Sequence, residues 1–246
     1  MKKLLLISTA LAAMTASAVA ADLPRRGAPA PYLAAAPLFT WTGFYVGLNA
    51  GAAFGNSSSM TDLNGYNLLN EVTGLGSKTS FTGGAQAGFN YQINSFVVGV
   101  EGDINYLDHK QTALVASAPL DSFVRARGSY LATVRARAGV AFDRALIYVT
   151  GGFAFSDLKT SYIDNCDVGL CGFDLISASA KTNTGYALGA GLEYAFTNNW
   201  TAKAEYLYTH FDGKTATAVS GLGGTFSFRA KDTTLNVVRV GVNYKF

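Results

Sequence analysis

The chain has 246 residues, of which 14% are charged and 49% hydrophobic, with 27 glycines and a formal net charge of +3. So low a charged fraction argues against an ordinary soluble surface, where roughly 25% is usual. The near balance of 19 basic against 16 acidic residues excludes a strongly basic nucleic-acid-binding face.

The first 20 residues read as a secretory signal peptide. Lys2 and Lys3 form the positive start, Leu4 to Met14 the apolar stretch, and Ala18-Val19-Ala20 the small-residue cleavage motif, placing cleavage before Ala21. The apolar run is too short to serve well as a membrane anchor. Residues 21–40 contain Pro24, Pro29, Pro31 and Pro37 among alanines, the composition of an extended periplasmic linker. Beyond Trp41 proline occurs only at Pro119, which suits paired strands because proline cannot donate to a ladder.

From Trp41 onward no apolar run is long enough for a spanning helix, and alternation with period 2 dominates. In the first run Phe44, Val46, Leu48, Ala50, Ala52 and Phe54 share one face, opposed by Tyr45, Gly47, Asn49, Gly51 and Ala53. A second run sets Phe81, Ala85, Ala87, Phe89 and Tyr91 against Thr82, Gln86 and Asn90. A third sets Val98, Val100, Ile104 and Tyr106 against Glu101, Asp103 and Asn105. The fourth, over about 123–142, sets Tyr130, Ala132, Val134, Ala136, Ala138, Val140 and Phe142 against a face holding Arg135 and Arg137. A turn at Asp143-Arg144 leads to a fifth, with Ile147, Val149, Phe153 and Phe155 outward. The sixth, near 183–196, carries Tyr186, Leu188, Leu192, Tyr194 and Phe196 opposite Glu193. The seventh starts at Trp200, with Tyr206 and Tyr208 against Lys203 and Glu205. The eighth ends the chain, with Val238, Val240, Val242, Tyr244 and Phe246 against Arg239, Asn243 and Lys245.

The connections alternate. Long polar ones fall near 55–79, 108–122, 157–181 and 212–229, and short ones at 93–95, 143–144 and 197–199. Four long and three short connections predict an all-β fold: an eight-stranded antiparallel up-and-down transmembrane β-barrel over 41–246, with four long extracellular loops and short periplasmic turns. The pattern leaves open an extra hairpin within 55–79. A soluble barrel with an apolar interior is the structural rival. It would need regular charges outside, yet 41–54 and 80–92 carry none on either face. The aromatic face therefore reads as lipid-facing, and Trp41 and Trp200 at the short-turn ends read as an aromatic girdle.

Alternation also places Glu101, Asp103, Arg135, Arg137, Glu193, Lys203, Glu205 and Arg239 inward, four acids and four bases. Charges inside a narrow barrel are costly unless paired or hydrated. The balanced set predicts a lumen ion-pair network that constricts the interior and argues against a wide pore. Cys166 and Cys171, five apart in a chain bound for an oxidising compartment, read as a disulfide. No catalytic constellation or metal site emerges, so the chain reads as a non-enzyme. His109 and His210 sit at the extracellular ends of their runs as rim residues, with haem ligation as the alternative. The stretch Gly221-Leu222-Gly223-Gly224 reads as turn chemistry.

The stretches AAPLFTWTGFYVGLNAGAAFG, VRARAGVAFDRALIYVTGGFAF and KAEYLYTHFD, with the terminal VGVNYKF, resemble the alphaproteobacterial outer-membrane immunogenic, porin-like proteins of the opacity-type β-barrel family. The resemblance covers essentially all of 41–246. It implies an immunogenic surface protein of the Gram-negative cell outer membrane, contacting outer-membrane lipid and lipopolysaccharide, as a monomer or weak oligomer. Its role would be mainly structural, with at most limited small-solute porin activity. The alternative is a surface ligand-binding or adhesin module, for haem or a host component, acting through the extracellular loops. The resemblance also makes Val240, Val242, Tyr244 and Phe246 a signal for the outer-membrane barrel assembly machinery.

Overall fold

The computed structural model describes residues 39–55, 59–65, 70, 72–115, 122–164, 176–219 and 224–246. The signal peptide, nearly all of the 21–40 linker, Cys166 and Cys171, and Gly221 to Gly223 lie outside the described residues. Twelve strands follow in order: β1 (Gly43–Gly55), β2 (Ser59–Asp62), β3 (Val72–Gly74), β4 (Thr79–Ile93), β5 (Phe96–Leu114), β6 (Ser122–Phe142), β7 (Ala145–Asp164), β8 (Ile176–Ala195), β9 (Trp200–Phe211), β10 (Thr215–Val219), β11 (Thr225–Ala230) and β12 (Thr233–Lys245).

Eight of them close a barrel in the order β1-β12-β9-β8-β7-β6-β5-β4, with β4 pairing back to β1. Every barrel pairing is antiparallel. Closure leaves the wall without an unpaired sheet edge, which hydrocarbon surroundings require. The outward pleat carries the apolar side chains: Phe44, Leu48, Phe81, Val100, Val134, Phe153 and Val240 are all more than half exposed. Two of the short turns begin on Asn94 and Asp143, at φ of 54° and 52°. Those residue types tolerate the left-handed region that a two-residue hairpin demands.

Strand lengths divide the barrel into a short wall and a tall one. β1, β9 and β12 have 12 or 13 residues, while β5, β6, β7 and β8 have 19 to 21. A tilted membrane strand needs only about 9–11, so the tall wall continues well above the lipid. Register shifts at Tyr106/His109, Arg127/Leu131 and Phe155/Leu158 mark where the extension starts.

Two sequence expectations change here. The described residues of the segments 108–122 and 157–181 are almost all strand, because inward alternation persists through Val115, Val124, Tyr162, Ala178 and Ala180 while the outward face turns polar. The segments 55–79 and 212–229 supply β2, β3, β10 and β11, a second sheet in the order β10-β11-β2-β3. Met60, Ala216 and Phe228 of that sheet pack on the inner face of the tall wall, with Phe228 stacked on Tyr162 at 4.4 Å between ring centroids.

Trp41 is the other correction. It is 1% exposed and takes no part in a lipid-facing girdle. Because β1 begins only at Gly43, Trp41 precedes the pleat and turns under the short-turn mouth of the barrel. Its backbone N–H donates to Gln92 Oε1 at 2.8 Å, and its indole Nε1 donates to the Asp143 carbonyl at 3.1 Å. Trp200 is 45% exposed, edge-on to Tyr244 at 5.2 Å, and Tyr244 meets Phe246 at 5.2 Å.

Candidate functional site

The distinctive chemistry of the molecule lies inside the barrel at mid-height. Strand register puts Glu101 opposite Arg135, Glu193 opposite Lys203, and Glu205 opposite Arg239. Other contacts cross the lumen. Lys203 Nζ donates to both oxygens of Glu101 at 2.8 Å, and Arg239 Nη1 reaches Asp103 Oδ1 at 3.0 Å. Arg135 is the hub, donating to Glu101 at 2.6 Å, Asp103 at 2.9 Å and Glu205 at 3.2 Å. Arg137 pairs with Glu193 at 2.7 Å, and Arg239 with Glu205 at 2.6 Å. All eight inward charges therefore meet in one cluster, and none is more than 7% exposed.

Neutral partners join the charges to the remaining strands. The Tyr45 hydroxyl donates to Glu101 at 2.7 Å and accepts from Arg137 at 3.0 Å. The Tyr148 hydroxyl donates to Glu205 at 2.8 Å, and the Arg137 guanidinium lies 4.0 Å from the Tyr148 ring centre. Thr201 and Asn243 both donate to Glu193, and Gln86 links Asn243 to Asn49. Glycine makes room for the two phenols: a Cβ at Gly191 would stand 2.6 Å from the Tyr148 ring, and one at Gly88 would overlap the Tyr45 hydroxyl. Sequence reasoning omits Tyr45, Tyr148, Thr201 and Asn243 from the network. Their inward parity was visible, but the height at which each meets a charge follows from inter-strand register.

Apolar layers bracket the charges. Toward the extracellular side Leu107, Leu131, Leu158, Leu207, Phe211 and Leu235 fill the lumen. Toward the short turns Phe39, Trp41, Val97 and Leu146 close the mouth. Lys245 Nζ donates to the Thr40 carbonyl and lies 4.5 Å from the Phe39 ring centre, holding that segment in place. On the β1–β4–β5 side, Asn49 Oδ1, Thr82 Oγ1, Asn90 Oδ1 and Asn105 Oδ1 are buried without a protein partner among the described residues. This is the most solvent-demanding side of the interior.

The two histidines are not brought together. His109 points inward on the tall wall, 4% exposed, with Nδ1 3.4 Å from Ser80 Oγ. Burial, with Lys78 nearby, holds its pKa below the ordinary value of 6.5. His210 faces outward, stacked on Tyr186 at 5.1 Å and 3.4 Å from Asp212. Among the described residues no group of three His, Cys, Asp or Glu side chains is arranged to hold a metal ion. Val240 and Val242 line the outward face of β12, with the exposed Phe246 just past its end, next to the seam where β12 pairs with β1.

A family model described as an outer membrane protein beta-barrel domain matches residues 6–246. The 31 kDa outer-membrane immunogenic protein of Brucella melitensis is 36% identical over 250 residues, covering 100% of both chains. The 25 kDa outer-membrane immunogenic protein of Brucella canis is 30% identical, covering 100% of this chain and 99% of that one. The 22 kDa outer membrane protein of Rhizobium leguminosarum is 33% identical over 85% of this chain and 80% of its own length. Among solved structures, the outer membrane protein OprG from Pseudomonas aeruginosa superposes with a TM-score of 0.54 at 14% identity, covering 85% of this chain and 98% of that one. At that identity the likeness concerns the fold.

Proposed function

The chain belongs to the outer membrane protein beta-barrel domain family, in the outer membrane of a Gram-negative cell, and on that premise we propose a structural, non-enzymatic barrel whose lumen is closed. It braces the membrane and presents a folded extracellular surface, with at most limited passage of small solutes. One observation carries this reading: a cluster of eight buried, mutually paired charges sits between two apolar layers. An eight-stranded barrel is only just wide enough for side chains to fill. What water path remains would follow the β1–β4–β5 side, where the unpaired amide oxygens and the Thr82 hydroxyl lie.

The test is conductance of the refolded full chain in planar bilayers. The closed reading expects a quiet membrane, or small, rare steps. Large, steady ohmic steps from wild-type protein would overturn it.

A second reading, a surface ligand-binding or adhesin module, is favoured by a specific feature. β2, β3, β10 and β11 form a sheet with its own core against the tall wall. Such a sheet holds the surface in a fixed shape, which recognition by loops alone would lack. The outward row Val240, Val242, Tyr244 and Phe246 suits presentation of the last strand to the assembly machinery. Replacing Phe246 and Tyr244 by Ser should slow assembly in cells while refolding from urea into detergent is unchanged. Unchanged assembly in cells would reject that role.

A further inference from the structure

One strand stands apart from the apolar layers that close the lumen. Among the described residues, the leucine layer takes a buried side chain from every barrel strand except β4. The layer at the mouth takes none from β4 either. The inward positions of β4, from Ser80 down to Gln92, carry only serine, threonine, asparagine, glutamine or glycine. Where β5 brings Leu107 into the lumen, its partner on β4 is Thr82. A polar stripe therefore runs down one strand through a lumen that is otherwise layered.

Two carboxylates set the direction of the amides beside this stripe. An ionised carboxylate only accepts, so an amide that meets one turns its nitrogen toward it. Asn105 Nδ2 donates to Asp103 Oδ1 at 2.5 Å. On the other side Asn243 Nδ2 donates to Glu193, Gln86 Nε2 to Asn243, and Asn49 Nδ2 to Gln86. Both chains of donors end on a carbonyl oxygen, Asn105 Oδ1 and Asn49 Oδ1, and neither oxygen has a protein partner among the described residues. Register puts these two asparagines on either side of the inward Gly84. A Cβ there would lie 2.7 Å from Asn105 Oδ1, so glycine leaves the space into which that oxygen leans. Thr82, the next inward residue above, buries a hydroxyl that also lacks a protein partner. None of the three residues is more than 6% exposed.

Two carbonyl oxygens and a hydroxyl suit a ligand that donates twice and accepts once, which is water, and a buried water needs two to four such partners. A small cation would also meet oxygens here. The four acids and four bases of the cluster already cancel, however, so a cation would add uncompensated buried charge. Above the site Ser80 Oγ lies 3.4 Å from His109 Nδ1, and Gln111 Oε1 is a further buried acceptor without a protein partner among the described residues. Below it the Gln86 side chain spans from Asn49 to Asn243, and the Tyr45 phenol covers Gly88, where a Cβ would stand 2.5 Å from the ring. We propose that the inward face of β4 between Ser80 and Gln86 is a binding site for a short file of water, entering from the extracellular side and ending blind. Asn49, Thr82 and Asn105 hold its innermost member, and Gln86 with Tyr45 stops it at the charged cluster. The inference rests on the closed-lumen reading and adds to it one wet side.

The test uses isotope-labelled, refolded full chain in lipid bilayers, with solid-state NMR following the transfer of water proton magnetisation to each residue. Build-up at Thr82, Gly84 and Asn105 should be several-fold faster than at Leu131, which register places directly opposite Asn105 on β6. It should be slow again at Gly88. Equal build-up at Gly84 and Leu131 would overturn the site, and fast build-up continuing through Gly88 to Asn90 would overturn its blind end. The variant N49L/T82V, which removes two of the three partners, should slow build-up at Gly84 while keeping heat-modifiable mobility; unchanged build-up in the folded variant would take those residues out of the site. Wild type is also compared in sodium chloride and in choline chloride. Side-chain amide signals of Asn49 and Asn105 should coincide in the two salts, and a shift that follows sodium would show a cation in place of water. Slow build-up along β4 in a chain whose bilayers stay quiet would sink the water file alone, whereas large ohmic steps would sink the closed-lumen reading on which it rests.

Discussion

Arg135 touches three carboxylates from β5 and β9, and its side chain is fully buried. Removing one member of such a cluster leaves uncompensated charge in a dry interior, a loss of about 3–5 kcal/mol. Arg135→Ala should therefore lower the urea midpoint of the refolded barrel substantially. The joint replacement Glu205→Gln with Arg239→Gln, which removes one acid and one base, should cost less than the sum of the two single changes. Additive losses would show that the pair does not act as a unit. His109 gives a pH signature from outside the bilayer. Its folded pKa is depressed by burial, so the folded state holds fewer protons than the unfolded state below the ordinary value of 6.5. The stability it preserves is present above that value and is lost as pH falls through it. His109→Gln should flatten the fall in urea midpoint between about pH 8 and about pH 5. An unchanged slope would assign the pH effect to other groups.

At the scale of elements, the register shifts that begin the tall wall have a specific support. Asp157 Oδ1 accepts from the backbone N–H groups of Ser129 and Tyr130 at 2.7 and 3.1 Å. Burial alone would push its carboxyl up, but these amides hold it below the usual range. Asp157→Ala leaves both amides without that acceptor, at a cost of about 1–2 kcal/mol. Amide exchange should accelerate at Ser129 and Tyr130 and stay slow in the membrane portions of β6 and β7; no local acceleration would remove Asp157 from this role. The same region shows what sequence conveys. Period-2 alternation in β1 and β4 displays both the strand and its lipid face, because one side is uniformly apolar for the full bilayer depth. On β7, Lys159 and Ser161 occupy the outward positions above the bilayer, so the pattern reads as a polar loop although the strand continues. β2 and β3, of four and three residues, are too short to show a period at all. Trp41 misleads for a related reason: lying two residues before the first strand, it obeys no pleat.

At the scale of the whole molecule, closure is built in series. Going from the short turns outward, the lumen meets Trp41 and Leu146, then the eight charges, then Leu107, Leu207 and Phe211. Barriers in series do not fail singly, since an ion that passes one layer still faces the desolvation imposed by the next. Trp41→Ala should remove the mouth layer and leave bilayers as quiet as wild type. Joint replacement of Glu205 and Arg239 by Ala thins the charged layer, and the leucines and Phe211 beyond it should keep the path shut. Only the combined variant, carrying Trp41→Ala, both lumen replacements and Phe211→Ala, should give steady ion steps, provided it still shows the heat-modifiable mobility of a closed barrel. If Trp41→Ala alone conducts, the charged cluster is not a barrier and its work is confined to stability. If the combined folded variant remains silent, side-chain layers do not set permeability, and the narrow backbone cylinder does.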